Sequence, residues 1–259
     1  MAVLNSAGVQ FEVNVPVVIV GAGACGCIAA LAAHECGAEV LVLERDAFPR
    51  GNTALSGGQI LAGGTHLQAA VGIDDTADFL ADDILRKAKG QCDQEMARHI
   101  TRESAVTVNW LVESHGIPLS CISSFLYAGF SRPHMHATPT RSGRELLDGI
   151  LQAAANAGID IITSARVVDL YADDGGHIHG VGFVRPDGRC ETLGCAALIL
   201  ACNGFGGNKT LLREYIPAIA DAHYHGHDGN QGDALMWGKA LGASLKDLGA
   251  FQGHGSLCT

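Results

Sequence analysis

The apolar run Val15 to Val20, followed at once by Gly21-Ala22-Gly23-Ala24-Cys25-Gly26, constrains the fold more than any other stretch of this chain. The run has the length and β-branching of a buried parallel strand. The glycines fit G-x-G-x-x-G. In that pattern Gly21 permits a tight turn out of the strand, Gly23 lets a pyrophosphate approach the backbone, and Gly26 lets the helix pack on the sheet. The anion then rests on N–H groups at the helix N-terminus. Ile28 to Cys36 reads as an alanine-rich helix stopped by Gly37, and Val40 to Leu43 as the second strand. A βαβ unit of about thirty residues results. Glu44 ends that second strand, eighteen positions after Gly26. A carboxylate there accepts both ribose hydroxyls of an adenosine and repels a 2′-phosphate, which disfavours NADP. The alternative is a structural glycine turn with a surface Glu. The complete set of strand, helix, second strand and acid favours a dinucleotide.

Composition agrees with an α/β domain. Of 259 residues 47% are apolar, only 17% are charged and 34 are glycine. The formal net charge of −10 argues against nucleic acid or an anionic membrane as the main partner. The nine cysteines form no CxxC pair and no zinc-ligand spacing, so they read as reduced thiols of a cytoplasmic protein. Met1 to Val15 has no signal-peptide pattern, and no run of apolar residues is long enough to span a membrane.

Further along, Pro49 to Thr65 reads as a glycine-rich loop, and Asp74 to Lys89 and Asp93 to His115 as two helices. Pro133 to Pro139 reads as irregular. Ser142 to Asn156 reads as a helix with Ser142 as N-cap and Glu145 three residues on, a capping-box pattern. Strands are expected at Ile159 to Thr163, Arg166 to Ala172, Ile178 to Arg185 and Ala196 to Ala201, with a hairpin turn at Pro186-Asp187-Gly188. Helices are expected at Asn208 to Tyr215 and Gly232 to Leu241.

Three further motifs carry a family resemblance. Arg50-Gly51-Asn52-Thr53-Ala54-Leu55-Ser56-Gly57-Gly58 supplies small and hydroxyl residues suited to close packing on a polar chain and a flat ring. Ala196-Leu-Ile-Leu-Ala-Cys-Asn-Gly-Phe-Gly-Gly-Asn208 is a strand running into a turn. Gly229-Asn-Gln-Gly-Asp233-Ala234 is followed by Ala240-Leu-Gly-Ala243 and Phe251-Gln-Gly-His254. With the glycine fingerprint, these four motifs in order resemble the FAD-dependent oxidoreductase 2 family, of the succinate dehydrogenase/fumarate reductase flavoprotein type. The resemblance covers nearly the whole chain. It is nearest to the branch with soluble fumarate reductase-like and tricarballylate dehydrogenase-like flavoproteins. Two positions depart from the family turn, Cys202 and Asn203, and Asn tolerates the left-handed conformation that the turn needs.

What the resemblance implies is a Rossmann-like FAD-binding domain over residues 1–250: a central parallel sheet with helices and a β-rich meander. Residues 251–259 would begin a capping domain. The implied cofactor contacts are Gly21, Ala22, Gly23, Ala24, Gly26, Glu44, Arg45, Gly51, Asn52, Thr53, Ser56, Gly57, Gly58, Val167, Ala201, Asn203, Gly204 and Asp233. His254 would contact a substrate carboxylate. Asn52 stands where the membrane-complex branch has the flavin-linked His, so FAD is expected to be held non-covalently. The implied reaction is hydride transfer between flavin N5 and a small carboxylate substrate; a ketosteroid dehydrogenase-like substrate is a variant of it. The proton-donor Arg of the family is expected beyond Thr259, so the chain reads as an N-terminal portion without catalytic residues of its own. The electron donor or acceptor is not legible. The contrasting reading is a non-catalytic nucleotide-binding module, or a subunit that needs a partner chain.

Other constellations were open to two readings. Alternating His223, His225 and His227 would converge on a metal if they lay on a strand; a polar loop is the simpler expectation. His134 and His136, near Arg132 and Arg141, would either line the substrate side of the flavin or sit in a solvated loop, and the loop is preferred. His177 and His179 are expected to be exposed at a hairpin. Cys25 and Cys27 are expected to be there for their small size beside the pyrophosphate, rather than as reactive thiols.

Overall fold

The β-branched run after Asn14 forms a strand because it is buried on both faces between neighbours. The computed structural model describes residues 1–251, and there the chain runs β1 (Ala2–Asn5), β2 (Asn14–Val20), α1 (Ala24–Glu35) and β3 (Val40–Leu43). It continues through α2 (Gly51–Leu55), β4 (Ile60–Leu61), α3 (His66–Ala70), α4 (Ala77–Ala88), α5 (Gln94–Glu113), β5 (Ser120–Cys121), β6 (Met135–Ala137) and α6 (Gly143–Asn156). The rest is β7 (Asp160–Ile162), β8 (Arg166–Ala172), β9 (Ile178–Val184), β10 (Cys190–Leu200), α7 (Lys209–Tyr215), a 3₁₀ turn at Pro217–Ile219 and α8 (Asp233–Ala240). These form two compact units: Met1–Gly51 with the chain from Ile159 onward, and Asn52–Gly158.

The first unit is built on a seven-stranded sheet of order β1-β8-β9-β10-β2-β3-β7. β10, β2, β3 and β7 run parallel, with Val17 beside Ala197 on one side and Val40 on the other. β9 is antiparallel to both β8 and β10 and makes the expected meander. Gly188, at φ +84°, closes its turn with Arg185. Val18, Val20, Leu41, Leu43, Leu170, Val181 and Trp237 belong to one buried cluster of this unit. β10 is longer than expected: Cys190 to Gly194 pair with β9, and Gly194 to Leu200 pair with β2. Its polar start, Cys190-Glu191-Thr192, hides the strand from a reading of apolar runs.

The second unit departs more from expectation. Pro133 to Pro139 is not irregular throughout: β6 lies between β4 and β5, with His136 opposite both Ile60 and Cys121. The glycine-rich loop likewise contains α2 and β4. Ser142 does cap α6, its Oγ accepting the Arg144 N–H at 3.2 Å. Glu145 does not complete the capping box. Its Oε2 accepts the Thr140 N–H (2.9 Å) and hydroxyl (2.5 Å) instead. A complete box forms at α3, where Thr65 and Gln68 satisfy one another's backbone N–H groups. α6 is amphipathic, burying Leu146, Leu147, Ile150, Ala153 and Ala154 on one stripe.

The two histidines expected in a solvated loop are wholly buried. His134 Nδ1 meets Asp75 Oδ2 at 2.6 Å and its Nε2 meets Asp83 Oδ2 at 3.0 Å. His136 donates from Nδ1 to the His134 carbonyl and accepts the Thr65 hydroxyl at Nε2, 2.8 Å. They form the polar centre of the second unit.

Candidate functional site

The first unit holds the glycine fingerprint at the C-terminal ends of its parallel strands. Gly21 has φ +105° and donates its N–H to Leu43 O at 2.8 Å. A Cβ on it would stand 2.6 Å from Ala201 O, and one on Gly26 would overlap the Gly21 carbonyl. Both glycines are therefore required by the packing of β2, α1 and β10 alone. Gly23 differs. As N-cap of α1 it has an ordinary extended backbone (φ −74°) and no side chain to offer the helix. Ala22 is fully buried and Ala24 opens α1.

Glu44 is 7% exposed and held from two sides: Oε2 accepts the Ala22 N–H and Oε1 the Asp46 N–H, each at 2.9 Å. Each oxygen keeps a second lone pair. The next residue, Arg45, reaches across to Gly229 O at 3.0 Å and ties the segment before α8 to the end of β3. Val167 is buried in β8 opposite Phe183. Ala201 continues β10, its N–H bonded to Val20 O, and leads to Asn203, whose φ of +66° is the left-handed conformation expected of the turn before Gly204.

Asp233 is the first residue of α8, behind Gly232 at φ +88°. It is 7% exposed, and its Oδ1 is buried without a hydrogen-bond partner. Burial raises its pKa against the opposing pull of Arg45, Arg166 and the N-terminus. Asn230 Oδ1 is likewise buried and unpartnered, while its amide donates to Tyr224 Oη at 2.5 Å. Sequence reasoning missed Asn230 and Tyr224. The signal was a polar Asn between glycines just before a helix. Unmet buried oxygens cost free energy unless a ligand donates to them. Two such acceptors, with the Glu44 carboxylate, fit the hydroxyl-rich ribose and ribityl chains of FAD.

The second unit carries the loop after Gly51. Asn52 and Thr53 lie in α2. The Ser56 hydroxyl donates to Thr53 O (2.7 Å) and accepts the Gly58 N–H (3.0 Å). Gly143 N donates to Ser56 O at 2.9 Å, and a Cβ on Gly143 would overlap Thr53 O. Gly58 has φ +59°, and its Cβ would meet Ser142 O at 2.7 Å. Gly58 and Gly143 thus interlock the loop with the start of α6. Gly57 has only ordinary contacts, so packing does not account for it.

Two thiols beside the cradle, Cys27 and Cys202, are held in the protonated form. Burial, with help from Glu44, pushes Cys27 up to about 12. Burial, with Asp233, pushes Cys202 up to about 11. His223 to His227 do not form a strand. His227 pairs with Asp46 at 2.8 Å and accepts the Gly229 N–H, and among the described residues no three metal-ligating side chains converge. His177 and His179 are exposed and share Asp173. His254 lies outside the described residues.

Comparison with known proteins agrees with this geometry. The family model described as FAD binding domain matches residues 16–254. The chain is 31% identical over 238 residues to the probable fumarate reductase Ifc3 of Shewanella frigidimarina (strain NCIMB 400), covering 92% of this chain and 40% of that protein. The open conformation of a flavocytochrome c3 fumarate reductase superposes with a TM-score of 0.82 at 30% identity, over 92% of this chain and 42% of that one. The 3-ketosteroid-delta4-(5alpha)-dehydrogenase of Rhodococcus jostii RHA1 superposes with a TM-score of 0.85 at 25% identity, over 96% and 58%. The chain spans about two fifths of the length of the fumarate reductase it matches. The fold, the glycine cradle with its acid, and a family match over nearly the whole chain converge: this protein belongs to the FAD-binding domain family of fumarate reductase-like oxidoreductases, and its cofactor is FAD.

Proposed function

We propose that the chain holds FAD non-covalently and serves a dehydrogenase or reductase acting on a small carboxylate of the fumarate/succinate or tricarballylate kind. The observation that carries this reading is the buried, partnerless Oδ1 of Asp233 in the unit that holds the Gly21–Gly26 cradle. Bound FAD supplies hydride transfer at N5. The chain's own residues supply position. Glu44 accepts the adenosine ribose hydroxyls, the first turn of α1 receives the pyrophosphate, and the Val167 backbone meets the adenine. Arg45, Ala201, Asn203 and Gly204 border the same cofactor, and Asp233 accepts from its hydroxyl chain. Gly51, Asn52, Thr53, Ser56, Gly57 and Gly58 are assigned to its pyrophosphate, ribityl and ring. Asn52 has no nucleophile for a flavin bond, which supports non-covalent attachment. Residues 1–250 are the FAD-binding part, and His254, outside the described residues, is assigned to a substrate carboxylate. No described residue is assigned the proton transfer. Free cysteines throughout the described residues support a reducing, cytoplasmic setting.

A ketosteroid-like substrate is a second reading, favoured by the superposition on the Rhodococcus jostii dehydrogenase. A nucleotide-binding module without turnover of its own is a third. Reconstitution with FAD decides first. A yellow protein that releases all its flavin on acid precipitation is expected; flavin retained in the pellet overturns non-covalent binding, and a folded, colourless chain overturns FAD binding. Reductant-driven turnover of fumarate against that of a 3-ketosteroid then separates the substrate readings, and no turnover of either by the 259-residue chain supports the third.

A further inference from the structure

The second unit has a small polar pocket of about 220 Å³ whose walls include Cys121, Ser123, Ser124, Thr138 and Arg141. Arg86, Arg98, Arg132 and Arg144 of this unit are each bonded to a carboxylate or a carbonyl. Arg141 is exposed, and its guanidinium has no hydrogen bond or ion pair with a described residue. Its backbone is left-handed (φ +53°), uncommon for an arginine, and its N–H closes a turn on Thr138 O at 3.0 Å. Thr138 is 2% exposed. It lies close enough to Glu145 to lower that carboxyl's pKa together with Thr140, yet its Oγ1 makes no hydrogen bond of normal geometry. Glu145 itself is taken up by Thr140.

Arg141, whose guanidinium has no described partner, lines this pocket together with three hydroxyl residues, Thr138 among them buried, and a guanidinium with hydroxyls is a donor set that a carboxylate fills. The pocket also adjoins the loop assigned to the flavin. Arg141 O lies 4.0 Å from where a Gly57 Cβ would stand, and two residues on Gly143 N holds Ser56 O.

We infer that the pocket of Ser123, Ser124, Thr138 and Arg141 is a carboxylate-binding subsite for the substrate, with Arg141 as its anchor. The inference rests on the flavin reading for its location beside the ring, and on this unit alone for its chemistry. Two consequences follow from the charges. Replacing Arg141 removes the anchor, while neutralising the neighbouring Glu145 removes a repulsion.

The test is calorimetric titration of succinate into the FAD-treated 259-residue chain and its R141Q, R141K and E145Q variants, with inorganic phosphate as the competing anion. R141Q should weaken succinate binding by about tenfold or more, the loss of a charge-assisted pair. R141K should lose less, and E145Q should bind more tightly. Phosphate should bind less well than succinate. Undiminished succinate binding by R141Q overturns the subsite, as does a yellow wild-type protein that binds no succinate. Phosphate binding as tight as succinate overturns the carboxylate assignment. Colour in the same samples reports FAD separately, so a colourless chain whose succinate binding still depends on Arg141 sinks the flavin reading and keeps the pocket. Circular dichroism of each variant identifies one that has not folded, and R141K then carries the comparison.

Discussion

His134 shows what a single buried side chain does for this protein. Both of its ring nitrogens face carboxylates, Asp75 and Asp83, so the imidazole is held as the cation that donates twice. Burial alone would lower its pKa, but the two aspartates raise it above the ordinary 6.5. Burial alone would raise Asp83, but the Ser131 N–H, His134, the Ser131 hydroxyl and Arg86 bring it down to about 2. The signs are opposite. The His134 contribution is complete below 6.5 and is lost as pH rises through its raised pKa. The Asp83 contribution is complete above 3.8 and is lost as pH falls towards about 2. His134→Asn removes the cation shared by two buried carboxylates, leaving Asp75 with Gln68 and the Thr76 N–H and Asp83 with Ser131 and Arg86, and should cost about 3 kcal/mol near pH 6. Urea denaturation of wild type and variant from pH 4 to 10 should show that gap shrinking at the alkaline end; a gap that widens there contradicts the imidazolium assignment. His136 next to it is the neutral counterpart. Burial lowers its pKa, and the Thr65 hydroxyl donates to its free nitrogen.

At the scale of elements, the loop after Gly51 and the start of α6 behave as one piece. Gly58 and Gly143 have backbone where any side chain would need to be. Gly143→Ala should therefore destabilise the chain by about 2 kcal/mol, the cost of overpacking against carbonyls that have little room to shift. The melting midpoint measures it, and an unchanged midpoint would show that the loop is freely displaced. Legibility differs sharply between elements. β2, α1 and β3 were readable because a β-branched run, a glycine pattern and an alanine-rich stretch are local signals. Ser142 was readable as a cap for the same reason. Glu145 was misassigned because a carboxylate three residues into a helix has two sets of backbone N–H groups within reach, and Thr140 offered a hydroxyl as well. β1 and β6 went unread because their partners are distant: Ala2 pairs with Asp169, and His136 with Ile60 and Cys121.

At the scale of the whole molecule, a cofactor that binds only the folded chain must stabilise it. FAD at about a hundred times its Kd adds about 2.7 kcal/mol. A rise in melting temperature on adding FAD is the expected readout. Glu44→Ala, which removes the proposed acceptor for the ribose hydroxyls, should shrink the rise, whereas FMN, which has no adenosine, should give little. Equal shifts with FAD and FMN would remove the adenosine role from Glu44. The net charge of −10 sits alongside a candidate anion pocket, which is consistent because binding depends on local donors rather than on the sum.

The sequence by itself determined the βαβ unit, the acid at its second strand, the meander and the cofactor class. Each is written in residues that are neighbours along the chain or in motifs that occur in order. The tertiary structure alone decided that His134 and His136 are core residues, that Asp233 Oδ1 is left without a partner, and that Arg141 lines a pocket together with the buried Thr138. His134 is 59 and 51 positions from its two aspartates. Burial and hydrogen-bond satisfaction depend on what the fold brings from far along the chain. A local pattern can state which side chain is present, but only packing sets what surrounds it.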